Sequence, residues 1–474
     1  MSFSRIIRSS MLMGGASAVT LATNLARAKV IAIMIGAQGI GLMGILTAFN
    51  GNIASLAGWG IGTTGVRALS SASEEQRPSK LAAVRRFGHV LAWIGALLMI
   101  LFFWPISFLT FKESGHEFDL LCAGLAVPLM VATGMWSAVL QAGGHLRQLA
   151  FSQIAAAVGG LLLGVPFIWI YGIDGIAPSI VIAALVPAIV TWRYADKLHP
   201  AAMRIPINQD DIRAFIKLGG ALTLAGLVGQ VAAYGSRMII IKSHGLESAG
   251  YYQAAFSTAG SLPGFVFAAM CADFFPRVAA ARTNNDAMNL VEGQIQAGIL
   301  LTVPALTLLL VMGGKCMSFL FTSSFEQSVP VLSWMVWGVF MRVISFPMGY
   351  FLLARGSSRS VLIAETVGGI ILLLLGVFLV PSCGLLGAGY AFFGSAAAYS
   401  LFLSMVLRAQ SGRWINIMTL SACLSGVLML SGARLLAELI PDGWWSLVPV
   451  FVVGTICFGI YLKILGKEKS ERKE

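Results

Sequence analysis

Apolar runs of about twenty residues or more recur along the whole of this 474-residue chain, parted only by short polar breaks. A helix needs roughly 20 such residues to cross ~30 Å of hydrocarbon. Inside lipid every backbone amide must find its partner within the protein, which a helix achieves alone and a β-strand only in a closed barrel. The alternating pattern of barrel strands is missing, so an all-α polytopic membrane protein is expected. Composition agrees: 57% of residues are hydrophobic and 11% charged, against about 25% charged in a soluble chain. About fourteen spans are read, near 9–35, 39–66, 87–111, 118–143, 151–171, 176–195, 218–241, 249–275, 293–313, 328–353, 361–380, 387–407, 414–437 and 445–462.

The net charge of +12 resembles a signal for nucleic acid until the charges are placed. With the N-terminus inside, the outer loops hold only Lys112, Lys242 and Lys315. The spans hold Arg27, Lys29, Arg237, Arg342 and Arg434, and the other 24 of the 32 Lys and Arg fall on the inner side. That asymmetry is the positive-inside rule. It predicts a multi-pass protein of the bacterial inner membrane with both termini cytoplasmic, and no nucleic-acid partner. Arg5 and Arg8 before the first apolar run resemble a signal peptide. The run is too long, however, and carries Asn24, Arg27 and Lys29, so a retained first helix is expected. The six cysteines form neither a CxxC pair nor a Cys/His cluster. No disulfide framework, metal or cofactor is expected.

The sequence also repeats itself. A shift of 209 residues superposes Gly36 on Gly245 and Gly41 on Gly250. A shift of 212 superposes Gly144 on Gly356, Arg147 on Arg359, Gly172 on Gly384 and Gly175 on Gly387. The order of these matches predicts two six-helix lobes, 1–198 and 214–408, joined by a cytoplasmic linker at 199–213. Residues 409–474 then add two helices and a basic cytoplasmic tail outside the repeat. An even number of spans per lobe gives a pseudo-two-fold axis along the membrane normal, as in transporters with parallel repeats. Lobes so related enclose a central cavity and rock to open it to either side.

Ionisable groups inside hydrocarbon cost at least ~2.5–3.5 kcal/mol on insertion scales, and those that persist usually face a cavity or a partner. The anions within the spans are read as Asp273 and Glu365, so the interior is net positive. Asn24 and Arg27 share one face of the first helix with Ser17 and Thr20, while Lys29 points about 200° away from Arg27. Thr223, Gln230, Tyr234 and Arg237 form a comparable stripe on the seventh span. Arg342 sits too deep to snorkel easily, whereas Arg434 suits interfacial anchoring. Asp273 has a local partner in Arg277. Glu365 either pairs with Arg359 or serves as a protonatable coupling group. Asn24, Arg27, Lys29, Arg237 and Arg342 are therefore substrate-binding candidates, and Glu365 and Asp273 ion-coupling candidates.

Enzymatic signatures are absent. Gly60-x-Gly62-x-x-Gly65 matches a dinucleotide fingerprint but lies inside a span with no preceding strand, where close helix packing or a flexible helix explains it better. Every outer loop is short, the longest near 314–327, which leaves no room for the catalytic site of a membrane polysaccharide polymerase.

Several segments resemble Wzx-type polysaccharide flippases, the O-antigen and lipid III flippases of the multidrug/oligosaccharidyl-lipid/polysaccharide (MOP) exporter superfamily. They are Gly36-Ala37-Gln38-Gly39-Ile40-Gly41-Leu42, Asp273-Phe274-Phe275-Pro276-Arg277, and the stretch from Arg342 through Gly349-Tyr350 to Glu365. The resemblance covers about residues 5–408 and implies two six-helix lobes. It implies transfer of undecaprenyl-pyrophosphate-linked oligosaccharide repeat units between leaflets, with basic residues at Lys29, Arg237 and Arg342. It favours Lys29 over Arg27, against the helical-face reading. It further implies contact with membrane lipids, a polysaccharide polymerase and a chain-length regulator, with coupling to a proton or sodium gradient. A cation-coupled multidrug exporter of the same superfamily is the alternative, though cationic drugs favour cavities dominated by carboxylates.

Overall fold

A computed structural model describes residues 3–111, 115–198 and 209–439, with a few isolated residues beyond. All of the regular structure among them is helical, with no strand. The chain divides into two compact units, Met1–Gly250 and Tyr251–Glu474. The first contains α1 (Phe3–Met34), α2 (Ala37–Gly58), α3 (Ile61–Ser70), α4 (Arg77–Thr110), α5 (Glu117–Gly124), α6 (Ala126–Ala142), α7 (Leu146–Leu162), α8 (Gly164–Tyr171) and α9 (Ile176–Leu198). The long α10 (Gln209–Ala280) crosses the boundary between units and is broken by non-helical backbone at Gly245. The second unit continues with α11 (Asn284–Val311), α12 (Gly313–Leu320), α13 (Val329–Ala354), α14 (Ser358–Cys383), α15 (Leu385–Ser411) and α16 (Ile417–Leu439). Helices thus stand at the first thirteen expected spans. The fourteenth, 445–462, lies almost wholly outside the described residues, as does most of the linker.

Ten of the described helical stretches are long and apolar enough to cross a membrane. Their outward faces make the same point. Trp93 and Phe108 are each 76% exposed, Trp169 77% and Ile417 85%. Large apolar patches of this kind are rare on soluble monomers and mark a surface that meets something other than water. Here that surroundings is lipid.

The glycine matches found by shifting the sequence recur in the backbone. Gly36 and Gly245 break their helices at φ 78° and 81°, and Gly172 and Gly384 theirs at φ 60° and 63°. Such positive φ values are strained for any residue with a Cβ. Gly175 and Gly387, three residues after the second pair, each bring a helix start against a preceding backbone carbonyl, of Phe167 and Leu379 respectively.

Two details differ from the sequence reading. The second span is not one helix: Trp59 and Gly60 both adopt left-handed backbone and separate α2 from α3. Gly60 is thus a helix break, while Gly65 is a packing glycine whose added Cβ would lie 3.1 Å from Ala138. The buried anions are also more numerous than Asp273 and Glu365. Asp119 is 6% exposed and paired with His116 at 2.7 Å, and Glu292 is 2% exposed. Glu292 accepts the Asn416 amide and the Asn416 side chain, both at 2.8 Å, and faces Arg413 at 3.4 Å. A full turn away, Gln296 donates to Thr419 at 2.9 Å. These bonds fasten the start of α16 to α11, and Gly426 of α16 lets the helix close on Phe340 and Ile299. Through these contacts α16 packs on α11 within the second unit.

Candidate functional site

In the first unit, α1, α2, α6 and α9 surround a cavity of about 480 Å³ that Arg27 lines together with Thr47, Thr133, Ser137 and Pro187. The Arg27 guanidinium donates to the Ser179 hydroxyl at 2.9 Å. Ser179 gives its own hydrogen to the Ile176 carbonyl at 2.7 Å, which leaves its lone pairs to receive the cation. The remaining lining is mostly apolar, with Met43, Met130 and Ile180 among it. Pro187 interrupts α9 beside this cavity; a proline within a helix removes one backbone bond and frees a carbonyl. Lys29, the alternative cation of α1, does not line the cavity. Asn24 is exposed on the same helix.

Arg237 lies on α10 ahead of the Gly245 break and is 6% exposed. It donates to the carbonyl of Ala233, one turn back, at 2.7 Å. Its stripe packs within the first unit. Tyr234 meets Thr110 of α4 at 2.6 Å; because the Thr110 hydrogen is directed to the Ile106 carbonyl, Tyr234 is the donor. Gln230 reaches Ser55 of α2 at 3.3 Å.

The second unit brings two of the sequence candidates together. Arg342 of α13 and Glu365 of α14 line one cavity of about 340 Å³ with Ser345, Tyr350 and Tyr399. Tyr399, on α15, stands between them. The Arg342 guanidinium lies over its ring, 5.6 Å from the centroid, and the Tyr399 hydroxyl is within interaction range of the Glu365 carboxylate. Ser395 of α15 donates to the Gly368 carbonyl of α14 at 2.7 Å. The single Ser400 hydrogen is shared between the Met341 carbonyl of α13 at 2.9 Å and the Ala396 carbonyl of its own helix at 2.8 Å. Pro347 interrupts α13 one turn beyond Arg342. The side chain of Asp273 lies outside the described residues.

Arg342 has no acidic neighbour along its own helix, so sequence spacing alone makes it look isolated. Glu365 reaches the same cavity from α14. Tyr399 carries no signal of its own in the sequence beyond being a polar aromatic deep in a predicted span. Among the described residues, no group of His, Cys, Asp and Glu is arranged to hold a metal ion.

A helical membrane body that holds a cation against an intramembrane cavity in each unit, with proline-interrupted helices beside them, is a transporter architecture. The chain belongs to the polysaccharide biosynthesis protein family, whose description matches residues 18–282, just over half its length. It is 21% identical over 403 residues to the lipid III flippase of Escherichia coli (strain K12), and likewise to that of Shigella flexneri. Those matches cover 83% of this chain and 96% of each relative. Among solved structures, the lipid II flippase MurJ in its inward closed conformation aligns with a TM-score of 0.71 at 15% identity, over 98% of this chain and 99% of that one. An inward-facing multidrug resistance MATE family transporter of the MOP superfamily gives 0.69 at 13% identity, over 88% and 95%. The chain has the fold of these two solved structures.

Proposed function

We propose that this protein is a flippase that moves polyprenyl-pyrophosphate-linked oligosaccharide repeat units from the inner to the outer leaflet of the bacterial inner membrane. The observation that carries the reading is Arg342, a guanidinium held in an intramembrane cavity by stacking on Tyr399. A pyrophosphate crossing hydrocarbon needs its charge compensated, because an isolated buried ion is prohibitively costly. Arg342 supplies that charge in the second unit and Arg27 in the first. The lipid III flippases among its relatives carry a name of the same chemistry. The polyprenyl tail stays in lipid while the charged head passes by alternating access.

In this reading both termini face the cytoplasm, and a polysaccharide polymerase and a chain-length regulator receive the product. Glu365 is the coupling group for a proton or sodium gradient, with Asp273 second. A drug exporter is the rival, favoured only by the carboxylate that Glu365 places in the cavity and by the fold shared with MATE transporters. Deletion of the gene tests the choice. It should strand lipid-linked repeat units in the inner leaflet and abolish a surface polysaccharide. Unchanged polysaccharide in a strain without a second flippase gene, together with drug export by the reconstituted protein, would establish the rival instead.

A further inference from the structure

Between α15 and α16 the chain leaves one membrane helix and enters the next within a few residues. Gly412 closes α15 at φ 80°, and Asn416 caps α16 by accepting the Thr419 amide at 2.7 Å. Beside this turn lies a cleft of about 490 Å³, lined by Ser404 and Leu407 of α15, Arg413, Trp414 and Ile415 of the turn, and Leu420 of α16. The volume is typical of a small-molecule site. It exists because α16 takes its packing from α11, through the Glu292 bonds and the Gly426 contact.

The walls and the mouth of the cleft differ in chemistry. Leu407, Ile415 and Leu420 give it apolar sides. At the mouth, Trp414 is 48% exposed, in the manner of a side chain seated at a membrane boundary. The Arg408 guanidinium is stacked over the Trp414 ring, 4.6 Å from its centroid. Arg413 is fixed beside it by bonds to Asn289 at 2.7 Å and Glu292 at 3.4 Å. Glu292 cancels one of these two charges, and Arg408 is held by an aromatic ring and keeps the other.

We propose that this cleft is a binding site for an anionic phospholipid of the surrounding bilayer. The phosphodiester sits at Arg408 and Arg413, and the first part of an acyl chain lies along Leu407, Ile415 and Leu420. Basic pockets between membrane helices at the bilayer surface select such headgroups. One net positive charge matches the single negative charge of a phosphodiester. The cleft shares no lining residue with the Arg342 cavity, so its occupant is bilayer lipid and not transported cargo. The bound lipid fills the gap that α16 leaves beside α15.

The test uses the full chain in mild detergent with added phosphatidylglycerol, phosphatidylcholine or undecaprenyl pyrophosphate, and needs no transport assay. Native mass spectrometry should find phosphatidylglycerol retained, and it should raise the apparent Tm by several degrees more than phosphatidylcholine does. Arg408→Gln and Trp414→Ala should each lose at least half of that difference. Ser404→Phe, which fills the cleft and leaves both cations in place, should abolish it and decides the matter if the other variants fail to fold. Arg147→Gln, at the start of α7 in the first unit, should keep it in full. The proposal is overturned if phosphatidylcholine stabilises equally, or if the difference survives in Ser404→Phe. It is also overturned if equimolar undecaprenyl pyrophosphate displaces phosphatidylglycerol, which would make the cleft a cargo subsite.

Discussion

The Arg342 guanidinium rests on the face of Tyr399, 5.6 Å from the ring centroid, in a cavity that Glu365 also lines. Arg342 is exposed to the cavity, where a cation on a π face gains about 0.5–1 kcal/mol and keeps its N–H donors free for a ligand. Arg342→Ala should therefore abolish export of lipid-linked oligosaccharide while the protein still inserts at normal abundance. Arg342→Lys separates two roles of the side chain. It should retain substantial activity if charge alone matters, and little if the planar fork grips phosphate through two parallel bonds. Tyr399→Leu should cost more than Tyr399→Phe, since only the former removes the ring. Surface polysaccharide measured beside membrane abundance reads all four, and wild-type export by Arg342→Ala would end the cationic-cavity mechanism.

The two cations of α1 divide clearly in space, and their variants should divide in effect. Arg27 lines the cavity of the first unit and bonds Ser179, whereas Lys29 is not among the lining residues. Arg27→Met should reduce transport at least tenfold, with Lys29→Met much closer to wild type. Ser179→Ala removes one charge-assisted bond, worth about 1.5–3 kcal/mol, and should fall between them. The reverse ranking in a reconstituted flipping assay would return the role to Lys29, as the family resemblance suggests.

Membrane character and most helix positions are legible in the sequence because hydrocarbon thickness sets a minimum length for every span. The helical-face argument is only partly matched: Arg27 meets Ser179 of α9, whereas Asn24 and Ser17, read on the same side, are exposed. What spacing cannot encode is pairing between helices. Arg342 and Glu365 meet only once α13 and α14 are packed, and Tyr399 enters from a third helix. Glu292 escaped for a simpler reason: it lies one residue before the expected start of its span. A carboxylate at that depth reads as solvated until the α15–α16 turn is seen to cover it. The break at Trp59 is half legible: the glycines at 60, 62 and 65 fit close packing or a flexible helix alike, and nothing in their spacing singles out Gly60 as the break.

Glu292 predicts a stability defect with no transport signature of its own. Its carboxylate is 2% exposed and satisfies the Asn416 amide, the Asn416 side chain and part of Arg413. Glu292→Ala leaves those donors without their acceptor, and each buried donor so stranded costs about 1–3 kcal/mol. The Arg413 contribution is smaller, because that side chain is one-third exposed and screened. Thermal unfolding of the purified protein should show Tm lowered by several degrees, with Glu292→Gln recovering part of the loss. An unchanged Tm for Glu292→Ala would mean that α16 is held on α11 by apolar packing alone.

Gly41 and Gly250, matched by the 209-residue shift, lie where α2 and α10 approach too closely for any side chain. A Cβ on Gly250 would land on the Ala37 carbonyl, and one on Gly41 would strike the Leu246 carbonyl and lie 2.9 Å from the Gly250 nitrogen. The obstacles are backbone atoms, which cannot rotate away as a side-chain tip can. Overpacking a tight interior costs typically about 1–3 kcal/mol, and Gly250→Ala should fall at or above the upper end. Gly260, ten residues further along α10, has nothing within 4 Å of an added Cβ. There Gly→Ala removes only the entropic penalty of glycine in a helix, so Gly260→Ala should be neutral or stabilising by about 0.5–1 kcal/mol. The two substitutions are chemically identical and differ only in what the methyl group meets. Unfolding of both variants under the same conditions should move Tm in opposite directions or leave Gly260→Ala unmoved. Equal stability of the pair would show that α2 and α10 do not make this close approach.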